Sequence, residues 1–189
     1  ALLAPHRELR NAAQRLGDVD TKADLLIPLI AELVEGKQQA LLFTFSKKTL
    51  TYLRKRLHGI ARTAVLNGDV PKDKRLQIMT AFQEGEYDIV LANRVASEGL
   101  DFQFCSVVIN YDLPWNPMEI EQRIGRIDRI GQASPKIHIL NFHTPDTIEA
   151  DIIDRVTARI GVFTDSIGEL EPSWNPGSGT CSGTASTST

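Results

Sequence analysis

Short apolar runs rich in β-branched residues alternate along the chain with longer amphipathic stretches. The apolar runs cover residues 40–45, 62–67, 87–92, 106–112 and 136–142. Runs of this length, separated by segments long enough for a helix, are typical of βα units that build a parallel sheet. The pattern therefore predicts an α/β fold with a parallel β-sheet, whose functional groups lie in loops beyond the carboxyl ends of the strands.

The amphipathic stretches carry signals for where helices begin. Ser46 is placed to cap one helix, Asp69 or Pro71 opens the next, and a third begins around Pro117. Further helices are predicted by periodicity over residues 9–16, 21–34 and 146–161. Apolar residues at helical spacing mark the inward faces, namely Leu50, Leu53, Leu57, Ile78, Met79, Phe82, Ile120, Ile124 and Ile127.

Length and composition exclude several classes of protein. The chain has 189 residues, 42% hydrophobic and 24% charged, which suits an ordinary globular domain and excludes collagen-like and wholly disordered chains. The last fifteen residues include eleven Gly, Ser or Thr and predict a flexible tail. No apolar run approaches the roughly 20 residues that span a bilayer. Without a signal-peptide pattern at the N-terminus, we expect an intracellular, cytoplasmic protein.

Charge and cysteine content exclude fewer classes of protein than length and composition do. The net charge of −3 argues against a strongly basic nucleic-acid binder, but residues 144–172 alone carry −5, which leaves +2 on residues 1–143. The two cysteines have neither metal-ligand nor disulfide-framework spacing, and Cys105 is interpreted as a small buried hydrophobe. No set of zinc ligands can be assembled, so no metal site is predicted.

A row of polar and basic residues follows the fourth apolar run. On a helix, Gln122, Arg126 and Arg129 form one stripe, and Arg123 is displaced from it. Arginines fixed on a rigid element suit phosphate oxygens, because guanidinium is permanently charged and donates through a planar fork. Taken alone, the stripe is better explained as a solvated helix face neutralised by Glu119, Glu121 and Asp128.

The context of that stripe resembles motif VI of superfamily 2 helicases. The shared core QxxGRxxR is present as Gln122, Gly125, Arg126 and Arg129. The residues before it, 112–117, and the Ile-Gly-Gln after it, 130–132, resemble the Swi/Snf-type branch. The resemblance implies that Arg126 and Arg129 act as catalytic arginine fingers and that Gln122 contacts the nucleotide.

Two further blocks resemble helicase motifs in the expected order. Residues 90–102 are similar to motif V, and residues 41–53 are similar to motif IV. The resemblance assigns Asn93 and Ser97, together with Ser46 and Lys47, to the nucleic-acid backbone. It assigns Gly99 and Asp101 to the nucleotide. The Ser97-Glu98-Gly99 sequence is most similar to bacterial RNA-polymerase-associated translocases.

The chain lacks a GxxxxGK[ST] loop and an Asp-Glu pair ending a strand. The resemblance therefore implies the second lobe of a two-lobed ATPase, a RecA-like three-layer fold with helices on both faces of the sheet. The N-terminal RecA-like lobe is then its first partner and binds most of the ATP and Mg²⁺. Duplex DNA is the expected substrate, with RNA polymerase or another nucleoprotein as a further partner. We expect a helical segment over 1–20, the lobe over 21–163 and an extension with a tail over 164–189.

Two other interpretations remain open at this point. One is a stand-alone module that binds nucleic acid or protein without motor activity, using the basic helix that begins near Lys47. The other is a lobe of an RNA helicase of the DEAD-box type, which usually has His where this chain has Gln122. A lack of upstream Walker motifs would favour the module, and the response of ATP hydrolysis to duplex DNA or single-stranded RNA would separate the two helicase types.

Overall fold

A computed structural model describes residues 11, 20–93, 100, 102–114, 116–125, 127, 134 and 136–143. The elements in chain order are α1 (Thr21–Glu35), β1 (Ala40–Phe43), α2 (Lys47–Arg56), β2 (Thr63–Leu66), α3 (Lys72–Gln83), β3 (Ile89–Ala92), β4 (Val107–Asn110), α4 (Pro117–Ile124) and β5 (His138–Asn141). The helices predicted over 9–16 and 146–161 and the predicted tail lie outside the described residues.

The five strands form one parallel sheet in the order β2-β3-β1-β4-β5. Every strand lies inside one of the predicted apolar runs, so the predicted parallel α/β sheet is confirmed. Because all strands run the same way, their last residues lie along one side of the sheet, which we call the carboxyl edge. Their first residues lie along the opposite side, the amino edge.

Both faces of the sheet are covered by apolar packing. On one face, Leu42 and its neighbours pack with Leu26 of α1 and Leu53 of α2. On the other face, Phe43 packs in a second cluster with Phe82 of α3 and with Ile127. Side chains of a strand alternate between faces, so two helical layers are needed to bury runs that are apolar throughout. The three-layer α/β arrangement is thereby confirmed.

The helix starts agree with the capping signals in the sequence. Ser46 Oγ accepts a hydrogen bond from the Thr49 N–H at 3.3 Å, as the predicted cap of α2. Asp20 Oδ1 caps α1 by accepting from Ala23 N–H at 3.0 Å. Pro71, rather than Asp69, occupies the residue before α3. Among the described residues, no helix is both long and apolar enough to cross a membrane.

Candidate functional site

The carboxyl edge gathers the buried polar side chains of the described residues. They are Thr44, Asn93, Asn110, Arg123 and Asn141. Burying such groups is unfavourable unless they are hydrogen-bonded, so their concentration at one edge requires a bonded arrangement there. This edge is also where open parallel sheets place their ligands.

Arg123 of α4 lies at the centre of this arrangement and is only 5% exposed. One guanidinium nitrogen, NH1, donates to Asn110 Oδ1 at 2.5 Å, and Asn110 Nδ2 donates to Asn141 Oδ1 at 2.8 Å. The guanidinium carbon lies 4.7 Å from the ring centroid of Phe43 and 5.6 Å from that of Phe45. The side chain therefore joins α4 to residues at the ends of β1, β4 and β5.

Helical spacing places Arg123 off the predicted functional stripe, and the sequence predicts no role for it. The signal that points to it is the asparagine near the end of each of two apolar runs, Asn110 and Asn141. These two residues are direct partners in the parallel pairing of β4 with β5. A pair of amides buried side by side needs further donors and acceptors, and Arg123 supplies one donor.

Asp112 ties the loop after β1 to the loop after β4. Its Oδ2 accepts from the Thr44 hydroxyl and, at 3.3 Å, from the Phe45 backbone N–H. Phe45 is nevertheless 42% exposed, so an aromatic ring stands at the surface beside the Arg123 guanidinium. The loop that precedes α2 is held in place by these bonds.

Two of the predicted nucleic-acid contacts, Ser46 and Lys47, already have partners within the chain. Ser46 caps α2, and Lys47 Nζ lies 2.6 Å and 2.7 Å from the two carboxylate oxygens of Asp69. Both partners of this ion pair are largely exposed. An exposed pair contributes about 0 to 1 kcal/mol, so a phosphate oxygen can replace Asp69 at little cost.

The loop that carries Asp69 is itself held by Arg75 of α3. Its Nε donates to the Val70 carbonyl at 2.8 Å and one terminal nitrogen, NH2, donates to the Gly68 carbonyl at 3.2 Å. Arg75 therefore orders the loop after β2.

The remaining predicted site residues divide into two groups. Asn93 is buried at the end of β3, where its N–H donates to the Leu66 carbonyl at 3.0 Å, and Gln122 is exposed on α4. Five predicted residues lie outside the described residues, namely Ser97, Gly99, Asp101, Arg126 and Arg129. Because α4 ends at Ile124, the single helical stripe of Gln122, Arg126 and Arg129 stays a prediction.

Neither a metal centre nor a thiol nucleophile is found in the described part of the chain. No three His, Cys, Asp or Glu side chains converge there, so those residues do not by themselves fit Mg²⁺. Cys105 is fully buried, as predicted, and this burial raises the pKa of its thiol to about 12. The thiol therefore stays neutral at ordinary pH and lacks the nucleophilic thiolate form.

The family model for the helicase conserved C-terminal domain matches residues 21–131 of the chain. The chain belongs to this family. A protein named as an uncharacterized ATP-dependent helicase, YqhH of Bacillus subtilis (strain 168), is 35% identical over 153 residues, covering 80% of the chain and 27% of the relative. The ATP-dependent RNA helicase RhlB of Shewanella frigidimarina (strain NCIMB 400) is 38% identical over 115 residues, covering 60% of the chain and 26% of the relative.

Solved structures share the fold of this helicase C-terminal domain. The C-terminal part of the Fun30 ATPase domain has a TM-score of 0.64 at 24% identity, over 70% of the chain and 44% of that structure. The C-terminal domain of the DEAD-box protein Dbp5 has a TM-score of 0.61 at 26% identity, over 75% of the chain and 79% of that structure. The RecA-like class of the fold is thus established, and the family membership is common to proteins named RNA helicases.

Proposed function

We propose that this chain is the C-terminal motor lobe of an ATP-dependent DNA helicase or translocase of the Swi/Snf type. The observation that carries the proposal is the position of α4. The QxxGRxxR segment begins within this helix, and the Arg123 side chain packs the helix against the carboxyl edge of the sheet. Because open α/β sheets bind ligands at this edge, the position of α4 supports a nucleotide contact by this segment.

The chain contributes arginines rather than a phosphate cradle. Arg126 and Arg129 act as fingers that stabilise negative charge on the transferred phosphoryl group, an effect worth about 10³ to 10⁵ in rate. Gln122, Gly99 and Asp101 also contact the nucleotide. ATP and Mg²⁺ are held mainly by an N-terminal RecA-like lobe, where the metal neutralises phosphate charge. The chain by itself is therefore inactive.

Nucleic acid contacts the neighbouring loops of the lobe. Ser46 and Lys47 at the start of α2 bind the backbone together with Asn93 and Ser97, and a phosphate takes the place of Asp69 beside Lys47. Phosphate contacts of this kind are independent of base sequence, which suits a protein that moves along a strand. Opening and closing of the cleft between the lobes then shifts this grip with each cycle.

The branch of the family decides the substrate. Gln122 in place of His, with the flanking 112–117 and 130–132 sequences, supports duplex DNA. The 38% identity to the RNA helicase RhlB supports single-stranded RNA as the second candidate. RNA polymerase is the further partner implied by the Ser97-Glu98-Gly99 sequence, and a cytoplasmic, nucleoid-associated location goes with it.

The test uses the full-length protein that contains this chain and compares its ATP hydrolysis with duplex DNA, with single-stranded RNA and with neither. The proposal predicts that duplex DNA raises kcat more than RNA does. Stimulation by RNA alone would assign the chain to an RNA helicase. A protein that binds either polymer but hydrolyses no ATP would be a binding module and would contradict the proposal.

A further inference from the structure

Arg123 is the one charged side chain among the buried residues that the structure describes. The residue before it on α4, Gln122, is exposed. After α4 ends, a turn at Gly125 leads into the predicted finger segment. The Arg123 side chain reaches in the other direction, to Asn110 and to the rings of Phe43 and Phe45. One residue therefore connects the sheet to the segment that bears the predicted chemistry.

A buried charge is an expensive way to fill this space. Replacing a buried ionic group by a well-packed apolar side chain is often neutral or stabilising, so packing alone does not explain Arg123. An apolar side chain would fill the space but could not make directional contacts. The hydrogen bond to Asn110 fixes one edge of the guanidinium plane, and the ring of Phe43 at 4.7 Å lies under its charge. Contacts of both kinds define how far α4 can turn about its axis or slide along it.

We propose that Arg123 is a positioning residue that fixes α4 on the carboxyl edge and thereby sets the placement of Gln122 and of the Arg126 and Arg129 fingers. The inference rests on the proposed function, since the fingers are its output. Arg123 itself is buried, and its contacts include Asn110 and the rings of Phe43 and Phe45. It acts on the reaction only through the residues that precede and follow it on the chain.

The Phe45 ring adds a link to the nucleic-acid side. It precedes Ser46 and Lys47, and its backbone N–H is held by Asp112. The guanidinium contacts this ring as well as Phe43, so a displacement of α4 is transmitted to the loop that begins α2. The same side chain thus connects the predicted nucleotide contacts to the predicted backbone contacts.

The first measurement is stimulated ATP hydrolysis by the full-length protein carrying Arg123→Gln. Because a misplacement of about 1 Å can lower a rate 10²-fold, we expect kcat to fall about 10- to 100-fold. The KM for ATP should change by a smaller factor than kcat, since the fingers act in the transition state. Arg123→Lys keeps the charge over the rings and should lower kcat less. Arg62→Gln at the amino edge is the matched control and should leave kcat unchanged.

A double-mutant cycle with Arg129→Ala separates positioning from a general loss of structure. If Arg123 acts through the fingers, Arg123→Gln lowers the single-turnover rate by less than about twofold once Arg129 is gone. Equal fold-losses in both backgrounds would overturn the inference, and so would a wild-type kcat in R123Q. If R123Q does not unfold cooperatively, R123K carries the same cycle.

The single variant Arg129→Ala tests the proposed function separately. A near wild-type rate in R129A would remove the finger role, and with it both the proposed function and this inference. A large loss in R129A together with an unaffected R123Q would leave the proposed function standing and overturn the inference alone.

Discussion

The two edges of the sheet treat polar side chains in opposite ways. At the amino edge, Arg62 and Asp88 form an ion pair at 2.5 Å in which Arg62 is 61% exposed, and Gln39 donates to the Phe82 and Tyr87 carbonyls. At the carboxyl edge, Arg123 and Asn110 are buried and bonded to each other across elements. Amino-edge contacts therefore hold the starts of strands, whereas the carboxyl-edge contacts orient a helix.

The carboxyl edge gives up some stability in order to hold α4 in one position. A buried polar network is favourable only while every member is satisfied, and it makes the loss of one member expensive. An exposed pair tolerates such a loss because water replaces the missing partner. Substitutions at the carboxyl edge should therefore affect both folding and activity, and those at the amino edge should affect folding slightly and activity not at all.

The largest stability effect is expected from Asn110→Ala. This change leaves a buried guanidinium N–H and the Asn141 oxygen without their present partner, so the free energy of unfolding should fall by about 3 kcal/mol. Urea unfolding of the 189-residue chain measures it. Asn110→Asp is the comparison variant: its carboxylate still accepts from Arg123 but no longer donates to Asn141, so it should cost less than N110A. A loss below about 1 kcal/mol in N110A would mean that the network is not tightly coupled.

A smaller effect is expected from Asp88→Asn at the amino edge. The carboxylate accepts from the Arg62 backbone at 2.7 Å and from its side chain, and this guanidinium lowers the pKa of Asp88 below its ordinary value. Its removal should cost about 1 kcal/mol at neutral pH.

The lowered pKa of Asp88 also predicts how that effect depends on pH. A carboxyl whose folded pKa is depressed stabilises the fold above its unfolded pKa, about 3.9 for Asp. That stabilisation is lost as the pH falls through the folded value. The stabilities of wild type and D88N should therefore converge below about pH 4. A difference that stays constant from neutral to acidic pH would contradict the role of Arg62.

Ser46→Ala tests the cap of α2. Loss of the hydrogen bond to Thr49 N–H should lower stability by about 1 kcal/mol, seen as a lower melting temperature. Ser46→Asp is the matched variant, because a carboxylate is an equally good cap. If S46A and S46D have the same melting temperature, the hydroxyl does not act as a cap.

The smallest effect is expected from Asp69→Asn. The Lys47–Asp69 pair is exposed, so its loss should change the free energy of unfolding by less than about 0.5 kcal/mol in thermal or urea unfolding. A loss above about 1 kcal/mol would show that the pair is structural and too strong for a phosphate to exchange with Asp69.

Local features of this fold could be predicted from the sequence, because they depend on neighbours along the chain. The five apolar runs contain the five strands, Ser46 caps α2, and Met79 and Phe82 face inward. Strand order could not be predicted, since β1 reaches the middle of the sheet only through crossovers. Long-range pairing also creates the Asn110–Asn141 contact that buries Arg123, and helical spacing alone placed Arg123 to one side.

The kcat of nucleic-acid-stimulated ATP hydrolysis in two arginine variants of the full-length protein is the most direct test of the finger role. Arg129→Ala, in the segment that follows α4, should lower kcat by about 100-fold or more. Arg62→Ala at the amino edge should stay within about twofold of wild type, since its ion pair with Asp88 contributes to folding alone. An R129A rate within about tenfold of wild type would contradict the account.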